Sequence, residues 1–547
     1  MIYMKRFLTS LLTSISVAMV AAQATNDTIN RMVLIESTYN PIIATAVKHN
    51  FIPEEMKPTV KNTPITYADE GLPLTTFNHT AREARITSIA HEKNFPGYVH
   101  FGIGNYLNLN GLAAYNLKIN EKQAVTLNAH LEGWNGKIRT NEENYLWRSH
   151  LYDMGIGANY YLLMGNHRLD AHVNANHYNY NYLTYNHFLG NTDLQNSNHI
   201  NGNIKLEGKL KEHYLYQTEV GYSYFSRSSY FDNPCNHDEQ HIYVNALAGM
   251  DLYEWGLASI AIRADQLIYS GLPNNYNGYF SLNIMPQWNY RWEDFVFDTG
   301  LNLDILTKQN AWIQASPQCK VSYLPKESPF TATLILNGGR ELPTYTNLYA
   351  LSPYWVSRGA LAPSYTYLNA QLIAGVRITE GLHLSAGGGY KITDNALFET
   401  ALDTLGAVYT CMTAHKAQVA YAEMNVQYAY KELLQLSASG TYRHWMLKGN
   451  QALLSRAPMF DANLKGRARI IKGLYAHTDM RLMLFTPVEG YTTEKAVINI
   501  SLGARYAINE RLSAFLDGHN LLNRHHQYYA GYPSQGISVM AGAAFKF

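Results

Sequence analysis

Apolar and polar residues alternate along this chain with a period of two, and the final residues show it most plainly. Ile537, Val539, Ala541, Ala543, Phe545 and Phe547 fall on one face of an extended strand, with Ser538, Met540, Gly542, Ala544 and Lys546 on the other. Leu368, Ala370, Leu372, Ala374, Val376 and Ile378 oppose Asn369, Gln371, Gly375 and Arg377 in the same way. Ile498, Ile500, Leu502, Ala504, Tyr506 and Ile508 oppose Asn499, Ser501, Gly503 and Arg505. Ile200, Ile204, Leu206 and Leu210 oppose Lys205, Glu207 and Lys209, and Val125, Leu127, Ala129 and Leu131 oppose Thr126, Asn128, His130 and Glu132.

Charges repeatedly take the face opposite the aliphatics. That is required if the apolar face meets lipid, where a Lys or Arg costs about 2–4 kcal/mol at the bilayer midplane. A water-soluble sandwich or propeller would pack large side chains on its apolar face. Here that face often carries Ala or Gly, as at Ala386 and Gly388 between Leu384 and Tyr390. The pattern predicts an all-β transmembrane antiparallel barrel over residues 96–547, with Lys205, Glu207, Arg340, Arg377 and Arg505 lining a polar lumen.

Short polar connectors recur between the strands. Ile119-Asn120-Glu121-Lys122, Ile378-Thr379-Glu380-Gly381 and Ile508-Asn509-Glu510-Arg511 are the clearest; others fall at Met164-Gly165-Asn166, Lys211-Glu212-His213, Tyr253-Glu254-Trp255, Trp292-Glu293-Asp294, Pro325-Lys326-Glu327, Tyr430-Lys431-Glu432 and Lys472-Gly473. About ten such turns, each joining two strands, with one strand more at either end, predict about 22 strands and put both chain ends on the periplasmic side.

Composition fits a membrane barrel. Mean hydropathy is −0.24, unremarkable because a polar interior dilutes the lipid face, and no apolar run past the leader is long enough for a membrane helix. The 43 Tyr and 8 Trp suit interfacial belts. Lys5 and Arg6, the apolar run from Phe7 to Val20 and the small residues at Ala22-Gln23-Ala24 predict a signal peptide over residues 1–24. A net charge of +1 indicates no nucleic-acid surface. Three cysteines, Cys235, Cys319 and Cys411, are too few for a disulfide framework, though one bridge is compatible with them. The 21 His show no metal-ligand spacing, the adjacent His525 and His526 read as loop polarity, and there is no Gly-x-Ser-x-Gly nucleophile motif. The expectation is a non-enzyme without cofactor or metal.

Two segments resemble TonB-dependent receptors. Gly338-Gly339-Arg340-Glu341-Leu342-Pro343-Thr344-Tyr345-Thr346-Asn347-Leu348-Tyr349 is similar to the Arg-x-Pro and Leu-Tyr motif that those receptors carry after a mid-barrel strand, with one extra residue before Pro343 and Asn347 in place of an acid. Gly518-His519-Asn520-Leu521-Leu522-Asn523, followed by Tyr528-Tyr529 and Gly531-Tyr532-Pro533, is similar to their final hairpin. The terminal Phe547 resembles the signal read by the bacterial barrel assembly machinery. The resemblance implies a 22-stranded outer-membrane barrel, and its globular plug domain has no recognisable counterpart in residues 25–95.

That N-terminal segment carries Pro41, Pro53, Pro58, Pro64 and Pro73, which favour an extended periplasmic or lumenal chain. Its tetrad Met32, Val33, Leu34 and Ile35 could add as a strand to TonB or another periplasmic protein. A wide barrel needs filling, and the N-terminal segment and an inward loop from Glu341 to Tyr365 are the expected fillers. External loops rich in Tyr and Asn are expected at residues 177–182 and 274–277. Two functional readings follow: a transport barrel with a minimal gate, or a non-transporting scaffold that docks periplasmic or surface proteins.

Overall fold

The computed structural model describes residues 95–547 apart from residues 141–144, 185–193, 212, 230–234, 272–277, 308–312, 357–360, 405–406, 448, 450 and 490–495. The expected signal peptide, all but the last residue of the 25–95 segment, the Met32–Ile35 tetrad and the loop at 274–277 lie outside the described residues, as do the side chains of Cys235 and Cys411.

Successive strands pair antiparallel from Gly97–Gly104 to Ser538–Lys546, and these two then pair with each other, Tyr98 opposite Lys546 and Gly104 opposite Met540. The sheet therefore closes. Of its 24 strands, the two-residue segments Leu183–Thr184 and Trp355–Val356 attach to one end of the strand Ala407–Tyr430, leaving 22 in the barrel wall. At the seam Gly97 and Phe547 exchange backbone hydrogen bonds of 2.9 and 3.0 Å, and the Phe547 ring lies where a Cβ on residue 97 would project, so a larger residue there would displace the ring.

The short turns stand where the sequence puts them: strands end and restart across Asn120/Gln123, Met164/His167, Trp292/Phe295, Arg377/Leu382 and Ile471/Leu474. Both chain ends of the wall share that rim, which is the periplasmic one for a barrel of this kind.

The outward face is the apolar one. Ile156, Ile204 and Leu372 are 67%, 58% and 57% exposed, and Leu127, Val173, Val220, Leu502, Leu516 and Val539 are exposed beside them. A continuous apolar surface of this extent is untenable in water and is matched by acyl chains. Tyr253, Trp255, Trp292, Phe330, Tyr430 and Tyr506 crowd the short-turn rim and are likewise exposed, which is the interfacial girdle of a membrane barrel. Such a barrel belongs in the bacterial outer membrane.

Crossing a bilayer takes a strand of about 9–11 residues, so the 23- and 24-residue strands Leu382–Thr404 and Ala407–Tyr430 project far past the opposite rim. Loops gather inward against this extension. Residues 177–182 correct an expectation: His177–Tyr180 continue the strand His167–Tyr180, and Tyr178, Tyr180 and Tyr182 are buried in the lumen rather than displayed in an external loop. The alternation of Tyr178 and Tyr180 with His177 and Asn179 is that of a strand whose inward face is aromatic.

Candidate functional site

The strand Phe330–Glu341 bulges at Asn337/Gly339. Gly339 has φ +130°, a conformation side chains resist, and the Asn302 amide donates to the Gly338 carbonyl at 2.9 Å. Beyond the bulge Arg340 reaches across the inner wall, its guanidinium donating to Ser281 Oγ at 3.0 Å, the Ile305 carbonyl at 3.1 Å and Gln314 Oε1 at 3.3 Å. The chain then leaves the wall at the buried Pro343 and forms the helix Tyr345–Leu351. Thr344 caps it, Oγ1 accepting the Asn347 N–H at 3.2 Å, and the Asn347 amide closes back onto the Leu342 carbonyl at 2.9 Å. Asn347, which stands where the resembled motif has an acid, thus stabilises the turn into the helix.

The helix turns into the barrel. Tyr345 and Leu348, 3% and 1% exposed, pack with Phe225, Leu267, Tyr269, Tyr279 and Leu306 of the inner wall and with Trp355. The Tyr349 ring lies 4.0 Å from that of Tyr178. Three wall side chains also hold the segment by polar contact. Glu239 takes the Tyr345 N–H on both carboxylate oxygens at 3.0 Å, His199 Nε2 lies 3.3 Å from Thr346 Oγ1, and Arg227 donates to the Pro353 carbonyl at 2.9 Å. Arg227 is itself 1% exposed, its guanidinium 4.4 Å above Trp355 and 5.1 Å above Tyr180. Aromatic faces and carbonyl and hydroxyl acceptors take the place of water around this buried cation.

Beneath the segment lies a cavity of about 570 Å³, within the size range of small-molecule sites. Its wall is built from consecutive strands: His199, Asn201 and Asn203; Ser223; Glu239, His241 and Tyr243; Arg263 and Asp265; Ser281 and Asn283; Asn302 and Asp304, with period two wherever a strand supplies more than one of them. Asp265, 4% exposed, takes hydrogen bonds from Arg263 and lies 2.8 Å from His241 Nε2. Among the described residues no group of three or more His, Cys, Asp or Glu is placed to hold a metal ion.

Of the residues singled out from sequence, Arg340 lines this cavity. Lys205 and Glu207 form a 2.6 Å ion pair on the strand Gln195–Leu210, which supplies His199, Asn201 and Asn203 to the cavity, but lie outside the lining themselves. Arg505 lies on another part of the wall, 5.8 Å from the Phe515 ring, and Arg377 is exposed at the end of its strand. Glu239, His199, Arg227, Asp265 and Asp304 were not foreseen. Their signal was present, since polar residues at every second position of a barrel strand must face inward, but the sequence does not tell which strands lie under the inward loop.

The last loop is fastened by the Asn-Leu-Leu-Asn motif. Asn520 and Asn523 adopt left-handed conformations, φ +49° and +51°, that asparagine tolerates. The Asn520 amide donates to the carbonyls of Arg524 and Gln535 at 2.6 and 2.7 Å, and Asn523 Oδ1 accepts the Ile537 N–H at 3.1 Å. The Leu521 N–H bonds the Ile500 carbonyl at 3.0 Å. This loop delivers Tyr532 to stack on Tyr354 at 3.6 Å, joining it to the inward segment. His526, read from sequence as loop polarity, is instead 5% exposed, packed edge-on to Tyr528. Cys319 is a free thiol.

Solved structures with the same architecture are the iron transporter FrpB from Neisseria meningitidis (TM-score 0.65, 12% identity, 84% of this chain and 82% of that one), the siderophore receptor PirA from Acinetobacter baumannii (0.62, 11%, 82% and 80%) and the copper transporter OprC (0.61, 10%, 82% and 80%). The fold is that of a TonB-dependent receptor barrel. At such low identity the likeness concerns the fold. No family model and no curated protein matches the sequence.

Proposed function

We propose that this barrel carries a solute across the outer membrane and that the segment Leu342–Val356 gates it from the outer side. The observation that carries the reading is the seating of a short helix on the inner wall, over a polar cavity, through Glu239, His199 and Arg227. Its contacts are made by side chains and one two-residue strand pairing rather than by the wall ladder itself, so the segment can undock with the wall hydrogen bonds left in place, as lids and loops do. The solved barrels of the same fold, named as iron and copper transporters and a siderophore receptor, support transport as the class of activity. Residues 25–95 are proposed as a second filler of the lumen and Met32–Ile35 as its contact with TonB or another periplasmic protein.

Planar-bilayer recordings test this reading. Conductance that rises when Glu239 is replaced by Ala, or when residues 25–95 are deleted, supports a gated pathway. The second reading, a scaffold that docks partner proteins, is favoured by the Tyr354–Tyr532 stack that ties two loops together at the mouth. Absence of conductance in every form would support it and overturn the gate.

A further inference from the structure

The cavity under the inward segment has a one-sided chemistry. Four acidic side chains line it, those of Glu239, Asp265, Asp304 and Glu341, with the two guanidiniums of Arg263 and Arg340; Glu239 is taken up by the Tyr345 N–H and Asp265 by Arg263 and His241, which leaves Asp304 and Glu341 as the carboxylates open to a solute. Both cations are already engaged: Arg263 donates to Asp265 at 2.9 Å, and Arg340 to Ser281, Ile305 and Gln314. The histidines are occupied as well, His241 with Asp265, His199 with Ser223 and Thr346, and His172 with Asn159. An anionic solute would meet Arg263 already paired with Asp265, and Arg340 through N–H groups already given to neutral acceptors.

Acceptors, by contrast, are left over. Asp304 is 2% exposed; its Oδ1 takes the Asn283 amide at 3.1 Å, while Oδ2 has no donor. The Asn201 side-chain oxygen, on the facing part of the same wall, is also buried without one. A buried carboxylate oxygen lacking a donor is unfavourable, and a ligand N–H or O–H relieves it. Glu341, which is exposed, adds a second carboxylate at the edge of the cavity.

Building on the transport reading, we propose that the cavity takes a donor-rich, cationic polyol of the amino-sugar type, its ammonium drawn to the Asp304 side and its hydroxyls to Asn201, and that it rejects anionic solutes. The volume of about 570 Å³ accommodates a disaccharide-sized ligand.

Isothermal titration of the full chain in detergent tests this with three probes of one size: the glucosamine disaccharide chitobiose in its deacetylated form, neutral cellobiose, and digalacturonate. The expected order is the amino disaccharide tightest, cellobiose weaker and digalacturonate unbound. Asp304→Asn should weaken the amino disaccharide about tenfold or more while changing cellobiose less. Heat-modifiable migration on gels verifies that the variant barrel is folded, and Glu341→Gln, at an exposed site, gives an independent loss of the cationic preference. Digalacturonate binding as well as the amino disaccharide, no binding of any probe at millimolar concentration, or folded variants with unchanged preference would each overturn the ligand class. Because titration in detergent requires no translocation, those outcomes leave the bilayer test of transport standing on its own.

Discussion

Glu239 on the barrel wall and Tyr345 at the first turn of the inward helix are joined through both oxygens of the carboxylate, each 3.0 Å from the Tyr345 N–H. The carboxyl group meets the start of a helix whose first N–H groups have no intrahelical partner, so its oxygens supply an acceptor that the helix itself lacks. Glu239→Ala leaves that N–H buried and unpaired, at a cost of about 1–3 kcal/mol to the docked state. Glu239→Gln keeps one acceptor and should cost less. Protease sensitivity of residues 342–356 is expected to rise in the order wild type, Gln, Ala; equal resistance in all three would show that the contact does not hold the segment.

Trp355 completes the sandwich around Arg227 and is 2% exposed. Trp355→Ala removes a large buried side chain and one face of the cation's enclosure, with an expected loss of about 3–5 kcal/mol from the docked segment. Hydrogen exchange should quicken in residues 345–356 and not in the wall strands. Uniform acceleration through the barrel would mean that the segment is part of the global fold rather than a separable element.

Adjacent positions on one strand give opposite outcomes for the same substitution. Leu372 faces lipid, so Leu372→Lys is expected to cost about 2–4 kcal/mol and to lower the yield of folded barrel. Gln371 faces inward and donates to Glu423 at 2.8 Å, so Gln371→Lys gains an ion pair and should fold normally. Folding yields into lipid vesicles check both.

This alternation is also why the wall was legible from residues alone. Barrel strands are read by a local rule, one residue out and the next in, and the short turns carry their own polar signature, as at Asn120 and Asn509, whose side chains accept backbone N–H groups within the turn. What lies inside the wall follows no such rule. Tyr178 and Tyr180 are tyrosines on an inward face in either case; whether they meet water or a folded segment depends on residues 345–355, far along the chain. The motif at Arg340 and Pro343 marked the place but not the inward helix, because the bulge at Gly339 and the Asn302 contact that aim it are tertiary.

The final loop should respond to acid. Burial lowers the His526 pKa from its ordinary 6.5, with the neighbouring Arg524 and His525 acting in the same direction. A histidine lowered in the folded state binds its proton more readily when released, so stability is complete above pH 6.5 and declines as pH falls through that value toward the lowered one. The protection of residues 520–535, after correction for the slower intrinsic amide exchange in acid, is therefore expected to be lower at pH 5 than at pH 7.5, and His526→Gln should remove most of the difference. An unchanged pH response in the variant would assign the effect to another group.

Asn520→Ala should loosen the same loop at any pH. It forfeits the hydrogen bonds to Arg524 and Gln535 and places a less tolerant residue at φ +49°, an expected cost of about 1–3 kcal/mol. Limited proteolysis would then cut between residues 521 and 535; full protection would mean that the Tyr354–Tyr532 stack alone secures the loop.

The joining of Gly97 to Phe547 sets a condition on biogenesis. Until the strand Ser538–Lys546 has been delivered, the cylinder has two raw margins, each able to recruit a stray strand from another polypeptide. A premature stop before Met540 would leave Tyr98 to Gly104 without their partners, so such products should aggregate or be degraded instead of inserting as slightly smaller cylinders.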